Sequence, residues 1–457
     1  MLYWFTTHVE IVVVVLLTLA AALVILQQRR TPQSTAAWLL FIAALPWAAV
    51  PLFLLLGFRK RHSRYQPIFF REGDTGGPPP APAHPLDSTF QHYGLPPAHA
   101  GQRLRLLKER EEAFESMMQV IDSAEDRVHA LFYIVANDAT GVAFVDALTR
   151  KAEAGIKVRL LMDRLGTVRG PHRALKRLRA AGGEVRFYSP LLQMPGSGHL
   201  NLRNHRKMVV ADGARVFSGG MNIGEHYLGK GKMPEGWIDL GFTLEGTAVQ
   251  SFADVFRSDW SVASGDDLDA VPPVAPATGS DATVQLVPSG PDTVEDPLHD
   301  GLIRALHMAE DRIWLITPYF VPTELLSNAV AIAARRGVDV RILVPARSNQ
   351  RMADFARGAY LREMSEAGAR ILYYQPGMIH AKAGIVDDIA YVGSANFDVR
   401  SMLLNFETTL FVYDAGTVAD LASWFAMLSE DCETGRPRDG MIRRVAEGLF
   451  RLGAPIL

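Results

Sequence analysis

The chain carries NHRKMVVADG at residues 204–213 and IHAKAGIVDD at residues 379–388, and these two stretches decide its organisation. Both contain the pattern His-x-Lys-x4-Asp. The residues that fill it are His205, Lys207 and Asp212 in the first stretch and His380, Lys382 and Asp387 in the second. One such triplet arises by chance in roughly a few per cent of chains of this length, given ordinary residue frequencies. Two copies therefore indicate a duplicated functional element.

The duplication extends beyond the triplets. Each is followed by a glycine-rich turn that ends in asparagine, at residues 219–222 and 393–396. Upstream, GIKVRLL at residues 155–161 resembles GVDVRIL at residues 337–343. The soluble part of the chain therefore consists of two similar halves related by an internal repeat.

Each half alternates between helical and strand-like patterns. In the first, HALFYIV at residues 129–135 is an apolar run suited to a buried strand, and FVDALTRKAEAG is a helix ending at Gly155, a predicted C-cap. The second half has IWLIT, LLSNAVAIAARRG and VRILV in the same order. Helices between short apolar strands predict the α/β class, with two layered domains whose matched motifs face one another.

The paired motifs suit nucleophilic chemistry on a phosphoryl group. Histidine and lysine two residues apart lie on one face of a strand, with Arg206 and Ala381 on the other. One histidine can act as nucleophile and the other as acid. Oxygens of the phosphoryl group would be held by Lys207, Lys382, Asn222 and Asn396. The lysines supply the stabilising charge, so the pattern requires neither a metal ion nor another cofactor.

Four carboxylates are candidates for roles beside the histidines. Asp212 and Asp387 complete the triplets and belong to the candidate catalytic set, although they could instead shape the turns that follow them. Asp239 and Glu407 lie in strand-like runs, where an unpaired charge would be costly. We expect Asp239 and Glu407 to orient the histidine rings; the alternative is an exposed edge position.

Composition limits the partners of the chain. Its 457 residues contain 47 basic and 49 acidic side chains, for a net charge of −2, which gives no basic field for nucleic acid. Its single cysteine, Cys432, excludes an intrachain disulfide. The oligomeric state is left open.

The N-terminal region has two long apolar runs. Residues 11–26 and 36–57 contain no charged side chain, although Pro46 and Pro51 interrupt the second run. About 20 such residues cross a bilayer as a helix, so we predict a transmembrane hairpin rather than a signal peptide or two core helices. More basic residues follow the second run than lie between the runs, which predicts a cytoplasmic catalytic body on the inner membrane.

These motifs resemble the phospholipase D superfamily, and within it the bacterial cardiolipin synthases. The resemblance is carried by the two histidine stretches, by ITPYFVPTELL and GVDVRILVPARS, and by VGSANFDVRSMLLNFE. It implies two fused α/β/α sandwich halves with pseudo-twofold symmetry and an N-terminal hairpin of two transmembrane helices. The expected segments are the hairpin at 1–64 (helices about 4–26 and 36–57), a linker at 65–101, the first half at 102–265, a linker at 266–282 and the second half at 283–457.

The resemblance also implies a reaction without metal or cofactor. His205 would attack the phosphodiester of phosphatidylglycerol, glycerol would leave with a proton from His380, and a second phosphatidylglycerol would resolve the phosphatidyl-histidine to give cardiolipin. Glu407 would be a histidine partner, and Ser394 a turn residue near the phosphate. The alternative is a phospholipase D that hydrolyses or transphosphatidylates other phospholipids. A nuclease and a catalytically inactive membrane scaffold fit the charge and the intact motifs less well.

Two departures from the family pattern affect the second half. The segment between Asp387 and Gly393 contains five residues, one fewer than the six that the family usually has there. The shortening could be absorbed at the hairpin tip or could shift the strand register, which would turn side chains over. Asn349 also stands where members of the family commonly have aspartate.

Overall fold

The computed structural model describes residues 2–27, 32–56, 65–71, 83–188, 202–229, 237–269, 271, 281–435 and 440–452. Its strands are β1 (His99–Leu107), β2 (Arg127–Phe132), β3 (Lys157–Asp163), β4 (Glu184–Tyr188), β5 (Met208–Ala211), β6 (Arg215–Gly219), β7 (Gly241–Glu245), β8 (Ala282–Ser289), β9 (Arg312–Ile316), β10 (Asp339–Pro345), β11 (Arg370–Tyr374), β12 (Ala383–Val386), β13 (Ile389–Gly393), β14 (Glu407–Val412) and β15 (Cys432–Thr434).

The described residues also form helices between and around these strands. They are α1 (Leu2–Gln27), α2 (Pro32–Ala44), α3 (Pro46–Leu56), α4 (Pro85–His92), α5 (Arg110–Asp122), α6 (Ala139–Glu153), α7 (His172–Ala180), α8 (Glu225–Leu228), α9 (Val249–Ser264), α10 (Pro297–Met308), α11 (Glu324–Arg335), α12 (Arg351–Glu366), α13 (Val399–Leu403), α14 (Ala415–Glu430) and α15 (Met441–Leu452). Gly155 follows α6 with φ 84°, the left-handed conformation expected just beyond a helix end.

The strands of the described residues form one mixed sheet whose order shows the repeat. The order is β15-β11-β10-β9-β12-β13-β14-β8-β1-β7-β6-β5-β2-β3-β4. Read outward from the β8–β1 pair, the two halves have the same sequence of strand types as far as their three parallel strands. The second half adds one antiparallel strand, β15, beyond them at the edge. The prediction of a mixed α/β fold made of two fused halves is therefore confirmed.

Helices cover both faces of the sheet in the first half. Val128, Ala130 and Phe132 of β2 point into one apolar core with residues of α5 and α6. His129, between them, points the other way and stacks on Phe256 of α9 at 4.5 Å. Alternation along the strand thus produces the expected three-layer arrangement.

The shorter second hairpin is absorbed at its tip. In the first half Ala211 pairs with Arg215 across a three-residue turn, and in the second Val386 pairs with Ile389 across a two-residue turn. At the other end of the hairpins the register is the same in both halves. Met208 pairs with Ser218, and Ala383 pairs with Val392, so in each half the residue after the motif lysine pairs with the residue before Gly219 or Gly393. The histidines and lysines therefore keep their orientation.

The N-terminal helices form a unit that is described by itself. Ile25 of α1, Ile42 of α2 and Phe53 of α3 are buried in its small core, and Trp38 packs edge-on against Phe53 at 5.3 Å. The second predicted helix, 36–57, is divided, because α2 ends at Ala44 and α3 begins at Pro46, which lacks the N–H of a helix interior. Among the described residues, no helix is both long enough and apolar enough to cross a membrane.

The predicted linkers differ in outcome. The linker at 65–101 is partly wrong, because α4 and the start of β1 lie inside it; the buried side chains of Leu86 and Phe90 fold this stretch onto the second half. Phe90 packs against Phe411 of β14 at 4.9 Å. Most of the proline-rich segment 73–85, and most of the second linker at 266–282, lie outside the described residues.

Candidate active site

Both histidine motifs open into one cavity of about 200 Å³ at the carboxyl ends of the parallel strands. His205 and Asn222 reach it from the first half, and His380 and Asn396 from the second. The side chains that complete its wall are mostly polar or aromatic: Tyr133, Ile134, Arg203, Tyr227, Tyr319, Asn349, Gln350, Asp398, Arg400 and Asn405. The cavity therefore presents two imidazoles and five carboxamides to a single bound group.

Each imidazole is held by a carboxylate from the opposite half. Nδ1 of His205 lies 3.1 Å from Oε2 of Glu407, and Nδ1 of His380 lies 2.6 Å from Oδ2 of Asp239. A ring that donates its Nδ1 proton to a carboxylate keeps Nε2 as the nitrogen available to a substrate. The two pairs thus define the orientation of both rings.

Backbone pairing between the halves explains this crossed arrangement. Asn204 forms a parallel bridge with Phe406, and Ile379 forms one with Ile238. His205 follows Asn204 and Glu407 follows Phe406. In the same way His380 follows Ile379 and Asp239 follows Ile238. Two short bridges between distant parts of the chain therefore place each ring beside its acid.

The two carboxylates have different surroundings. Glu407 is fully buried and accepts hydrogen bonds from Ser394 (2.6 Å), Ser401 (3.0 Å) and Asn405 (3.4 Å). Ser394, which was predicted to lie near the phosphate, thus binds the carboxylate that holds His205. Ser401 was not predicted, although it belongs to the same block of sequence.

Asp239 has a more restricted environment. It accepts the backbone N–H of Leu240 at 2.9 Å, and Gly220 of the first glycine-rich turn lies against it. A Cβ at Gly220 would be 2.3 Å from Oδ1 of Asp239 and 3.3 Å from Cδ of Lys382. Glycine at this position therefore allows the turn to approach the His380–Asp239 pair.

Burial favours the neutral form of both imidazoles. It lowers the pKa of His205, against the opposing effect of Glu407, and it lowers the pKa of His380 to about 4 with a further contribution from Lys382. For the carboxylates burial acts in the opposite direction, but the hydrogen bonds and charges of neighbouring groups outweigh it. Lys382 holds the pKa of Asp239 below its usual value, and His205 does so for Glu407.

The two lysines are buried next to the rings. Lys207 and Lys382 are 0% and 1% exposed, and each ammonium donates to the backbone carbonyl of the histidine two residues before it. Burial lowers the pKa of Lys207 to about 7 and that of Lys382 to about 8. Their charge is therefore sensitive to the arrival of an anion, which would stabilise it.

The two asparagines line the cavity in different states. Asn222 accepts the backbone N–H of Ile134 at 3.2 Å, which fixes its side chain. Asn396 has a buried side-chain oxygen with no hydrogen-bond partner within the described part of the chain. A buried polar atom without a partner is costly, so a ligand that donates to it would bind favourably.

The aspartates of the triplets do not share this cavity. Asp212 and Asp387 lie at the tips of the hairpins, where each accepts three backbone N–H groups from the loop before β2 or β9. Both have positive φ, at 52° and 51°, as tight turns require. Neither lines the cavity, and strand β5 or β12, at roughly 3.3 Å per extended residue, separates each of them from its histidine. We therefore propose for both the turn-shaping role that was the alternative to a catalytic one.

Arg206, which lies between His205 and Lys207, forms a buried connection between the halves. Its guanidinium donates to Asp259 of α9 at 3.0 Å and to both oxygens of Asp292, which follows β8, at 2.8 and 2.9 Å. Its Nε also donates to the backbone carbonyl of Glu407 at 3.2 Å. Alternation along the motif predicted that this side chain points away from the histidine, but not what it binds.

A family model described as "Cardiolipin synthase, PLD-like domain" matches residues 117–260 and 302–429, and one described as "Phospholipase_D-nuclease N-terminal" matches residues 16–57. "Cardiolipin synthase 1" of Bacillus anthracis is 33% identical over 93% of this chain and 90% of its own length. "Major cardiolipin synthase ClsA" of Bacillus subtilis (strain 168) is 37% identical over 76% and 73%.

A solved structure shares the fold at lower identity. The phosphatidylserine synthase of Haemophilus influenzae Rd KW20 superposes with a TM-score of 0.62 and 15% identity, covering 81% of this chain and 100% of its own. At this identity the likeness concerns the arrangement of helices and strands alone.

Proposed function

This chain belongs to the family of bacterial cardiolipin synthases built from phospholipase D-like domains, and we propose that it transfers a phosphatidyl group from one phosphatidylglycerol to another, giving cardiolipin and glycerol. The observation that carries the proposal is the single cavity lined by one imidazole from each half. Each ring has its Nδ1 against a carboxylate, which leaves one Nε2 to attack phosphorus and the other to exchange a proton with the departing or attacking oxygen.

We assign the nucleophilic attack to His205. The Lys382 ammonium lies 2.6 Å from Nδ1 and 3.2 Å from Nε2 of His380, and a cation so close to the ring makes it a weaker nucleophile. His205 is neutral because burial lowers its pKa, so its Nε2 lone pair is available at neutral pH. Glu407 then stabilises the positive charge that the ring acquires on attack.

In the first step, Nε2 of His205 forms a bond to phosphorus while the bond from phosphorus to the glycerol oxygen breaks. The departing oxygen takes a proton from Nε2 of His380, and glycerol leaves. His380 can carry that proton because the bound phosphodiester anion opposes the desolvation that lowers its pKa to about 4. A phosphatidyl-histidine remains on His205.

In the second step, the terminal hydroxyl of another phosphatidylglycerol gives its proton to His380 and attacks phosphorus. The phosphorus–nitrogen bond breaks, and cardiolipin is released with His205 neutral again. Lys207 and Lys382 hold the non-bridging oxygens in both steps, with Asn222 and Asn396 as further candidates. Water in place of the hydroxyl would give phosphatidic acid, so transfer depends on excluding it.

We also propose that the N-terminal region anchors the chain in the inner membrane as a hairpin, with the catalytic body in the cytoplasm. The support is the two charge-free runs at residues 11–26 and 36–57 and the basic cluster that follows the second. A C-terminal reporter that is active only in the cytoplasm is the expected result. Activity confined to the other side of the membrane would reverse the orientation.

The test of the reaction is product analysis with the purified full-length chain. Phosphatidylglycerol labelled in its acyl chains should yield cardiolipin and free glycerol in equal amounts, with a labelled, acid-labile adduct on the protein. His205→Ala should abolish both product and adduct, and His380→Ala should abolish turnover. His307→Ala, an exposed histidine at the end of α10, is the matched control and should keep full activity.

Two results would contradict the proposal. Phosphatidic acid as the main product would make the chain a hydrolase with the same residues. Undiminished turnover in either His205→Ala or His380→Ala would exclude the two-histidine mechanism.

A further inference from the structure

Two loops related by the repeat flank the catalytic cavity. The first tip, residues 164–170, follows β3, and the second tip, residues 346–355, follows β10 and enters α12. β3 and β10 hold equivalent places in the two halves of the sheet. The tips therefore lie on the same edge as the histidines, one on each side of the repeat axis.

Both tips expose apolar side chains to solvent. Leu165 and Val168 are 47% and 51% exposed on the first tip, and Met352 and Phe355 are 54% and 40% exposed on the second. Single exposed apolar residues are common, but here the same feature recurs at both repeat-related positions. The recurrence indicates a shared surface rather than two independent accidents.

The tips also share a positive charge. The first has exposed Arg164 and Arg169, and the second has exposed Arg347 and Arg351. Residues 164–173 and 346–353 contain no acidic side chain. The next acidic residue, Asp354, is already bound to the guanidinium of Arg357 at 3.0 Å. The surface thus combines apolar and cationic groups, and the one acidic residue of the two tips, Asp354, is already paired with Arg357.

Each tip is continuous with the wall of the cavity. Asn349 and Gln350 of the second tip line it directly. On the first tip, a Cβ at Gly166 would lie 2.0 Å from the carbonyl oxygen of Tyr133 and 3.3 Å from its ring, and Tyr133 lines the cavity. Whatever binds the tips therefore comes to the mouth of the site.

We infer that the two tips form a docking surface for an anionic lipid bilayer, which seats the mouth of the cavity on the membrane independently of the N-terminal hairpin. Apolar side chains enter the boundary between headgroups and acyl chains, while the arginines bind lipid phosphates. Each arginine close to an anionic bilayer raises the equilibrium constant for binding to it by about fivefold. The inference rests on the proposed function only in taking the substrate to be a lipid of that bilayer.

The test places a fluorophore on each tip of the full chain. Cys432→Ser removes the single native cysteine, and Val168→Cys and Met352→Cys are then made and labelled separately with a polarity-sensitive dye. Each protein is reconstituted in vesicles of phosphatidylcholine alone or with phosphatidylglycerol, and quenching by acrylamide is measured. Ile332→Cys is the control, since Ile332 is 42% exposed in the last turn of α11, at the opposite edge of the sheet.

We expect acrylamide quenching at both tips to fall about threefold when phosphatidylglycerol is present, with a blue shift of the dye, and no change at position 332. Equal quenching in the two kinds of vesicle at either tip would overturn the inference. Protection on neutral vesicles that grows with protein concentration would also overturn it, because a second copy of the chain would then cover the tips.

A parallel assay of cardiolipin formation by the unlabelled chain separates the two proposals. Protected tips on a chain that makes no cardiolipin would support docking and contradict the proposed function. Accessible tips on a chain that makes cardiolipin would contradict docking and leave the function standing.

Discussion

At the scale of single residues, the two histidines of the site are not equivalent. His205 is held by Glu407, which accepts hydrogen bonds from three side chains of the second half. His380 is held by Asp239, a shorter side chain with Gly220 against it. A longer acid with donors to both oxygens stays ionised and oriented when the ring becomes charged. This difference favours His205 as the ring that takes the covalent bond.

The crossed carboxylates provide the first prediction. Glu407→Gln and Asp239→Asn keep the size of each side chain but remove the charge that orients the ring and stabilises its protonated form. We expect kcat to fall roughly 10²- to 10⁴-fold in each variant. Glu407→Gln should in addition lower the amount of trapped adduct, because it affects the nucleophile.

Thr434→Ala, on the exposed edge strand β15, is a suitable control and should leave kcat unchanged. A loss of less than about fivefold in both carboxylate variants would show that ring orientation does not depend on them.

The buried lysines lead to the second prediction, which concerns pH. A lysine binds phosphate while it is charged, so binding is lost as pH rises through its pKa, at about 7 for Lys207 and about 8 for Lys382. A histidine attacks while it is neutral, so attack is lost as pH falls below the lowered pKa of His205. We expect kcat/KM to reach its maximum between these limbs.

Lys207→Arg tests the alkaline limb, because arginine stays charged throughout the accessible range. The profile of kcat/KM against pH should then keep its acid limb and lose the lower part of its alkaline fall. Lys176→Arg, an exposed lysine of α7, should leave both limbs in place. An unaltered alkaline limb in Lys207→Arg would remove Lys207 from the explanation.

At the scale of secondary structure, the elements were predicted well where the pattern was local. Gly155 marked the end of α6, and the apolar runs around residues 129, 158, 313 and 340 became β2, β3, β9 and β10. The predictions failed where a long-range contact decided the outcome. Phe90 makes α4 part of the folded body, although its sequence follows a proline-rich stretch.

The third prediction concerns the turns of the two β-hairpins, β5–β6 and β12–β13. Asp212 accepts three backbone N–H groups, and an amide in place of the carboxylate would turn one oxygen into a donor facing a donor. We expect Asp212→Asn to lower the free energy of unfolding by about 1–3 kcal/mol. Well below the unfolding temperature, kcat should remain within about twofold of the unaltered chain, since this side chain does not reach the cavity.

Asp388→Asn is the matched control, because its carboxylate is 80% exposed beside the tip of the second hairpin. It should alter neither stability nor turnover. A collapse of kcat in Asp212→Asn without loss of stability would return Asp212 to the catalytic set.

At the scale of the whole molecule, the buried guanidinium of Arg206 connects the two halves. Burial, together with the neighbouring carboxylate of Asp292, keeps the pKa of Asp259 above its usual value, while the two acids raise that of Arg206. The charges are tolerated inside the protein only as a group.

Arg206→Met is therefore the fourth prediction. It leaves two buried acids without their cation, and we expect a loss of about 3–5 kcal/mol in the free energy of unfolding. Calorimetry of the full chain should show the two halves unfolding less cooperatively. Arg177→Met, which breaks an exposed ion pair with Asp146, should cost no more than about 1 kcal/mol. Equal losses in the two variants would contradict a connecting role.

Much of the site was accessible from the sequence, and the part that was not has a clear cause. Duplication singled out the four histidine and lysine residues, and the cost of burying charge singled out Glu407 and Asp239. Which acid meets which ring depends on the bridges at Phe406 and Ile238, and no periodicity within either half records them. The partners of Arg206 were hidden for the same reason.

The crossed pairs also have a consequence for chains whose translation is incomplete. His205 emerges 202 residues ahead of the glutamate that orients it, and Asp239 waits 141 residues for its imidazole. A nascent or truncated polypeptide that stops anywhere before position 407 has its first ring without an acid. Catalytic activity should thus arise only when translation has passed residue 407, because the ring of His205 lacks its carboxylate until then.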